Sequence, residues 1–284
     1  MKEKPGKPLD LLGADEILAL MDAADKRALR AVASARHSIA RAAEAAAASI
    51  GAGGRLIYVG AGTSGRLGVL DASECPPTFS ANPGQVVGII AGGKKALTEA
   101  VEGAEDDARA GKSAISRLRV NKADTVVGIT ASGTTPYVLA ALDEAGKRGA
   151  TTWLMKCSGT GGVDNEIALD TGAEVIEGST RLAAGTATKL ALNRITTAAF
   201  VMLGKVHGNL MVDVIPSNAK LVKRACGIIV TLTGCNEAEA AGLLKKAGNS
   251  PKTAVLMKLR GLTRRGAERL LDANGGSLRR ALEG

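Results

Sequence analysis

Four short runs of β-branched and aliphatic residues, Leu56–Val59, Val86–Ile90, Thr125–Ile129 and Thr151–Met155, punctuate the chain between residues 56 and 155. Each is followed by Gly, Ser or Thr and then by a segment of helical spacing. A strand that is apolar along its whole length, and not at every second position, has to be buried on both faces. Such strands alternating with helices form a parallel sheet covered on both sides, the doubly wound α/β class. Ligands of these sheets bind at the carboxyl ends of the strands, in the loops that lead into helices. Those loops are where chemistry is expected.

Helical patterning flanks the strands. The Ala-rich stretch from Asp15 to Ile50 places Leu29, Val32, Ile39 and Ala43 at helical spacing, which predicts an N-terminal helical segment over 1–50. The sheet domain is assigned to 51–235, with long helices from Gly185 to Val206 and from Asn218 to about Leu232. After Gly234-Cys235-Asn236 the texture becomes that of short helices, predicting a small basic helical bundle over 236–284. A faint echo runs through it. Leu243-Leu244, Gly248-Asn249-Ser250 and Ala254 return as Leu270-Leu271, Gly275-Gly276-Ser277 and Ala281, at a constant offset of 27 (271 − 244 and 281 − 254). In both copies a helix is expected to end at Gly and the next to start at a capping Ser.

Composition removes several classes. A hydrophobic share of 45% is far above that of a disordered chain. Aromatics make up 2% (Tyr58, Tyr137, Phe79, Phe200 and Trp153), so stacking platforms for bases are nearly absent. The net charge is +9, and the last sixth carries ten Lys/Arg against five Asp/Glu. Without a recognition-helix pattern, that basic tail reads as solvated helix faces, and no nucleic-acid partner is expected. No apolar run approaches the roughly 18 residues of a membrane span, so no membrane partner is expected either. The opening Met1–Lys7 is charged with no apolar run behind it, which predicts no secretory signal and a cytoplasmic location. Cys75, Cys157, Cys226 and Cys235 show no Cys-x-x-Cys pairing, and His37 and His207 are the two histidines. Reduced thiols and no metal site are expected, and neither histidine sits near a nucleophile motif.

The first strand runs into Gly60-Ala-Gly62-Thr63-Ser64-Gly65-Arg66, literally Gly-x-Gly-x-x-Gly. The dinucleotide fingerprint also needs a carboxylate about 20 residues on to hold the ribose, and Ile90-Ala-Gly-Gly93 stands there instead. A phosphate-loop reading fails too, because Arg66-Leu67 occupies the Lys-Ser/Thr position. What remains is a Gly-rich turn carrying Thr63 and Ser64 at a helix N-terminus, where free backbone N–H groups favour a phosphate. The third strand repeats the arrangement in Thr130-Ala-Ser132-Gly-Thr134-Thr135-Pro136, with Pro136 suited to a first helical turn. Two hydroxyl-rich turns on neighbouring strands converge on one anion. Arg181 and Lys189, flanking Gly185, are further candidates to meet an anionic ligand.

Five longer runs carry a resemblance: Gly60–Asp71, Ser73–Phe79, Val101–Asp107, Gly178–Leu182 and Gly204–Asp213. Together they resemble the N-acetylmuramic acid 6-phosphate etherases of the sugar isomerase (SIS) superfamily, over roughly residues 9 to 284. The resemblance implies a homodimeric SIS fold and a sugar-phosphate substrate whose lactyl ether is cleaved. It also implies that no cofactor or metal takes part and that two glutamates act, matching Glu74 and Glu105 here. Against the family pattern the chain opens without the usual polar segment and is shorter across Cys157–Ile176.

The chemistry asks for such groups. Opening the sugar to its aldehyde acidifies the C2 proton, the C3 ether then leaves by elimination, and water adds back. A carboxylate can give and take these protons once its pKa rises from about 4.3 toward neutrality. Glu74, beside Cys75-Pro76-Pro77 at the end of an apolar helix, is expected to be partly buried. Glu105 stands in a cluster with Glu102, Asp106 and Asp107 that by itself reads as a solvated helix N-terminus, so the resemblance alone singles it out. The rival reading is a sugar-phosphate-sensing regulatory protein. Glucokinase regulatory proteins carry two tandem SIS units, whereas this chain has room for one. A SIS-type transcription regulator would need a DNA-binding helix pair ahead of the sheet, and the acidic, Ala-rich start of Asp15–Ile50 does not supply it.

Overall fold

The computed structural model describes residues 7–159 and 165–284. The first six residues and 160–164, within the stretch noted as short, lie outside the described residues. Two compact units form: Met1–Glu74 with Pro83–Thr196, and Cys75–Asn82 with Thr197–Gly284.

The first unit holds a five-stranded sheet of β1 (Leu56–Gly60), β2 (Val86–Ile90), β3 (Thr125–Thr130), β4 (Thr151–Lys156) and β5 (Glu166–Ala168). The order is β2-β1-β3-β4-β5 and every pairing is parallel. The expected doubly wound α/β sheet is therefore present, and its order reverses between β1 and β3, the position where such sheets bind ligands. One face packs Ile57, Val59 and Val126 against α4 (Ala108–Arg117) and α5 (Pro136–Lys147) through Ile115, Val138 and Leu142. The opposite face carries Tyr58 and Ile129, and α3 (Gly62–Phe79) lies so close that a Cβ on Gly68 would stand 3.0 Å from Tyr58 Cβ. Burial on both faces is what the uninterrupted apolar runs require.

The N-terminal segment is two helices, α1 (Ala14–Ser34) and α2 (Arg36–Gly51), parted at Ala35. Val32, Ile39 and Ala43 are buried as expected, but Leu29 is exposed because α1 buries the stripe Ala24, Ala28, Ala31 and Val32. The α2 helix is tied to the sheet by Ser49 Oγ, 2.8 Å from Thr125 Oγ1. At the amino edge of β3, Asp124 takes bonds from Arg55 Nε (3.0 Å), Arg55 Nη2 (2.7 Å) and the backbone nitrogens of Arg55 and Asn121 (3.0 Å each). That one carboxylate joins β1 to β3.

The second unit takes the end of α6 (Ala183–Met202), a hairpin of β6 (Val206–His207) and β7 (Leu210–Met211), α7 (Ala219–Thr233), and then α8 (Glu237–Lys246), α9 (Pro251–Arg260), α10 (Arg264–Ala273) and α11 (Leu278–Glu283). The 27-residue echo is a structural one. Gly248 and Gly275 both have φ near 60° (64° and 60°), and Ser250 and Ser277 cap the helices that follow by accepting from Thr253 N and Arg280 N. Leu244, Ala254, Leu271 and Ala281 are the buried positions of the two copies.

Candidate functional site

The two hydroxyl-bearing turns stand at the carboxyl ends of adjacent strands, on either side of the point where the sheet order reverses. In the first, glycines let the start of α3 lie on the end of β1. A Cβ on Gly60 would fall 2.6 Å from Gly65 N, and one on Gly65 would fall 2.6 Å from the Ile90 side chain. Gly62 holds φ 51°, the left-handed region where a side chain is strained. Thr63 and Ser64 follow it, half-buried in the first turn of α3.

The second turn is organised by its own hydroxyls. Thr130 is buried at the end of β3, and its Oγ1 lies 2.7 Å from Thr135 Oγ1 and 3.4 Å from Ser132 Oγ. Ser132 Oγ lies 2.9 Å from Thr134 Oγ1 and accepts from Thr134 N at 3.2 Å. Gly133 makes the bend at φ 81°. Thr135 occupies the N-cap position of α5, yet its side chain does not cap the helix, and Pro136 takes the first turn. The helix start therefore meets an ordered hydroxyl chain, a donor set matched to an oxyanion. Thr130 was not among the residues singled out from the sequence. The signal was available, because it is the polar residue that ends an apolar run.

Glu105 sits in a 3-10 turn, Ala104–Asp106, and is exposed. Asp107 caps α4 by accepting from Ala110 N at 2.8 Å, so part of the acidic cluster does serve a helix start. The beginning of α4 rests directly on the beginning of α5, since Gly111 faces the Tyr137 carbonyl with no room for a Cβ. This contact brings the 104–107 segment to the same end of the sheet as the Ser132 turn. On its other side the segment is linked to α3, where Arg66 Nε donates to Leu97 O (3.2 Å) and Nη2 to Glu99 O (3.1 Å).

Glu74 departs from expectation. The α3 helix does not stop before Pro76-Pro77 but continues to Phe79, and Glu74 is exposed rather than partly buried. It lies ten residues beyond Ser64 on one helix, which is about 15 Å along the axis at 1.5 Å per residue. Within one chain it is therefore not brought to the turns.

Gly185, expected to open a long helix, lies in the first turn of α6, where a Cβ would stand 3.7 Å from Thr63 Cγ2. The starts of α6 and α3 are thus neighbours. The Ala183 and Ala184 amides donate to the Glu174 carboxylate at 3.0 Å each, so this helix start already holds an anion. Arg181 is exposed just before it, and Lys189 is exposed on α6. The Lys189 charge acts on Asp71, a buried carboxyl that accepts from Tyr58 Oη (3.1 Å), Asn193 Nδ2 (2.7 Å) and Thr196 Oγ1 (3.3 Å). Nearby, burial pushes the Cys157 thiol up to about 11, so it is not a thiolate nucleophile at neutral pH. Among the described residues no group of three or more His, Cys, Asp or Glu converges as metal ligands.

A parallel sheet of order 2-1-3-4-5 with paired hydroxyl turns at its reversal is a doubly wound α/β domain of the flavodoxin-like strand order. Residues 38–146 match the family model of the glucokinase regulatory protein N-terminal SIS domain. In fold alone, the chain resembles a phosphoheptose isomerase from Francisella tularensis, at TM-score 0.51 and 18% identity, covering 67% of this chain and all of that one. Nearly the full chain aligns with N-acetylmuramic acid 6-phosphate etherases. It is 50% identical to that of Cutibacterium acnes, covering 97% of this chain and 92% of the relative. It is 46% identical to that of Aliivibrio fischeri, covering 99% and 95%. The chain belongs to the N-acetylmuramic acid 6-phosphate etherase family.

Proposed function

We propose that this protein is a carbon–oxygen lyase that cleaves the D-lactyl ether of N-acetylmuramic acid 6-phosphate, giving N-acetylglucosamine 6-phosphate and D-lactate, in the recycling of cell-wall amino sugar. The observation that carries this reading is the 46–50% identity, over nearly the whole length, to relatives bearing that name. The two hydroxyl-bearing turns at the reversal of the sheet support it as the place for the sugar phosphate. Thr63, Ser64, Ser132, Thr134 and Thr135 bind the phosphate, with the starts of α3 and α5 adding backbone N–H groups. Arg181 and Lys189 favour the lactyl carboxylate.

With the sugar opened to its aldehyde, a carboxylate takes the C2 proton and the C3–O bond breaks. A proton passes to the departing oxygen, D-lactate leaves, and water adds across the C2–C3 double bond. One glutamate can act as base and then return a proton, and the second polarises the leaving group or the water. Acid–base groups and water suffice for every step, so the mechanism calls for no cofactor.

Glu105 serves the site from its own chain. Glu74 does not reach it, because C2 and the phosphorus of an open hexose 6-phosphate are six bonds apart, about 7–8 Å at roughly 1.5 Å per bond. A second copy of the chain supplies Glu74 in a homodimer. Leu70, one turn before Glu74 on α3, is 49% exposed, and Leu18 and Leu29 on α1 are 57% and 51% exposed, apolar surface that a partner covers. Among the described residues no helix is long and apolar enough to cross a membrane, and the reading places the protein in the cytoplasm. The direct test is D-lactate release from N-acetylmuramic acid 6-phosphate. Comparable release from the unphosphorylated sugar would count against the phosphate site.

A further inference from the structure

We propose that Arg66 is a positioning residue, whose guanidinium bonds to the Leu97 and Glu99 carbonyls set Glu105 beside the sugar-phosphate turns. The inference rests on the etherase reading and adds a residue to it. Arg66 lies two residues after Ser64, in the first turns of α3. Its Nε and Nη2 reach two carbonyls two residues apart, at 3.2 and 3.1 Å. A planar fork of N–H donors can hold both at once, whereas an ammonium on a flexible stem acts as a single point.

Apart from Arg66, the segment is seated by the buried Ala96 and by local turn bonds. It is bounded by glycines in the left-handed region, Gly92 and Gly93 (φ 81° and 68°) before it and Gly103 (φ 70°) after it. Between them Glu99 N bonds Lys95 O at 3.0 Å, and the Lys95–Glu99 ion pair is largely exposed and so contributes little. Glu105 follows Gly103 by two residues. Its downstream anchor is the Asp107 cap and the seat of Gly111 on Tyr137. Its upstream anchor is Arg66. Because the same guanidinium is carried by the helix that bears Thr63 and Ser64, it couples the phosphate turn to the glutamate. Removing it uncovers little core, since Leu97 is 36% exposed and Glu99 is exposed.

The test uses the full chain with Arg66→Gln, Arg66→Lys, Glu105→Gln and the double variant Arg66→Gln/Glu105→Gln. Displacing a reacting group by about 1 Å costs on the order of 10²-fold, so Arg66→Gln is expected to lower kcat by up to that factor with KM little changed. Arg66→Lys, which can satisfy one carbonyl, is expected to recover part of the rate. In the Glu105→Gln background the second substitution is expected to cost nothing further, because the group it places is gone. Amide hydrogen exchange across residues 98–107 is expected to quicken in Arg66→Gln without any substrate present. Full additivity in the double variant, or a raised KM at unchanged kcat, would overturn positioning, the latter by making Arg66 a phosphate ligand. Unchanged exchange would overturn the clamp itself. A wild-type protein that releases no D-lactate would instead overturn the etherase reading, and the exchange result would still judge the clamp.

Discussion

Asn193 on α6 donates its side-chain amide to the buried carboxyl of Asp71 on α3 across 2.7 Å, and Tyr58 and Thr196 bond it from β1 and α6. The network fixes the helix that carries the first hydroxyl-bearing turn against α6. Burial pushes the Asp71 carboxyl above its ordinary value of 3.8, opposed by bonds from Asn193, Tyr58 and Thr196 and by the Lys189 charge. A carboxyl whose folded pKa lies above its unfolded one contributes its full stability below the unfolded value and loses it as pH rises through the folded value. The unfolding free energy of the wild type relative to Asp71→Asn is therefore expected to fall as pH rises from about 4 toward neutrality in urea titrations. A rise over that interval would contradict the assignment.

Asp124 makes the opposite case. Burial works to raise its carboxyl, but the bonds from Arg55 and from the Asn121 and Arg55 amides outweigh it and leave it below the ordinary value. Its side chain is 1% exposed, against 25% for Arg55. Removing one partner of a buried pair costs about 3–5 kcal/mol, and the partial exposure of Arg55 puts Asp124→Ala near the lower end. Denaturant unfolding should report a loss of about 3 kcal/mol. A loss under about 1 kcal/mol, the level of an exposed pair, would show that β1 and β3 are not joined by this carboxylate.

In the second turn, Ser132 bonds both the Thr134 hydroxyl and the Thr134 amide, so its oxygen is fixed before any ligand arrives. Ser132→Ala is expected to cost about 1.5–3 kcal/mol in kcat/KM, the scale of one charge-assisted bond, and to act mainly on KM. Steady-state kinetics with the phosphorylated sugar decide it. Unchanged KM would remove Ser132 from the site.

The parts of this fold that the sequence announces are those whose physics is local. Strands β1 to β4 match their apolar runs to within a residue, because burial on both faces demands a continuous run. The two capping serines, Ser250 and Ser277, are found for the same reason: a cap needs only its own helix start. Strand β5 escapes notice, being three residues long with Glu166 paired to the buried Lys156 at 2.9 Å, which leaves no apolar run. The break at Ala35 carries no Gly or Pro to announce it. Asp71 and Arg66 act through partners brought close by folding: Asn193 lies 122 residues from Asp71, and Glu99 lies 33 from Arg66. Both hydroxyl-bearing turns were legible from glycines and hydroxyls. Glu74 and Glu105 were legible by resemblance only, since each is an exposed carboxylate with nothing local to set it apart.

The reach of Glu74 makes a prediction about mixed dimers. If the glutamate and the turns of one site come from different copies, Glu74→Gln chains and chains crippled in the turn by Ser64→Asp are each inactive alone. Mixing them by co-expression should restore D-lactate release, because some dimers then hold one site with both parts intact. No recovery in demonstrably mixed dimers would place Glu74 and the turns in one chain and require α3 to rearrange.

The central claim, cleavage of the sugar's C3 ether by elimination and rehydration, is tested most directly by the fate of solvent oxygen. N-acetylmuramic acid 6-phosphate is incubated with the protein in ¹⁸O-water, and both products are examined by mass spectrometry. The account predicts D-lactate without label, with ¹⁸O on C3 of the N-acetylglucosamine 6-phosphate and, in deuterated solvent, deuterium at C2. Label in the lactate, with no deuterium at C2, would mean attack on the lactyl carbon and would contradict the roles given to Glu74 and Glu105.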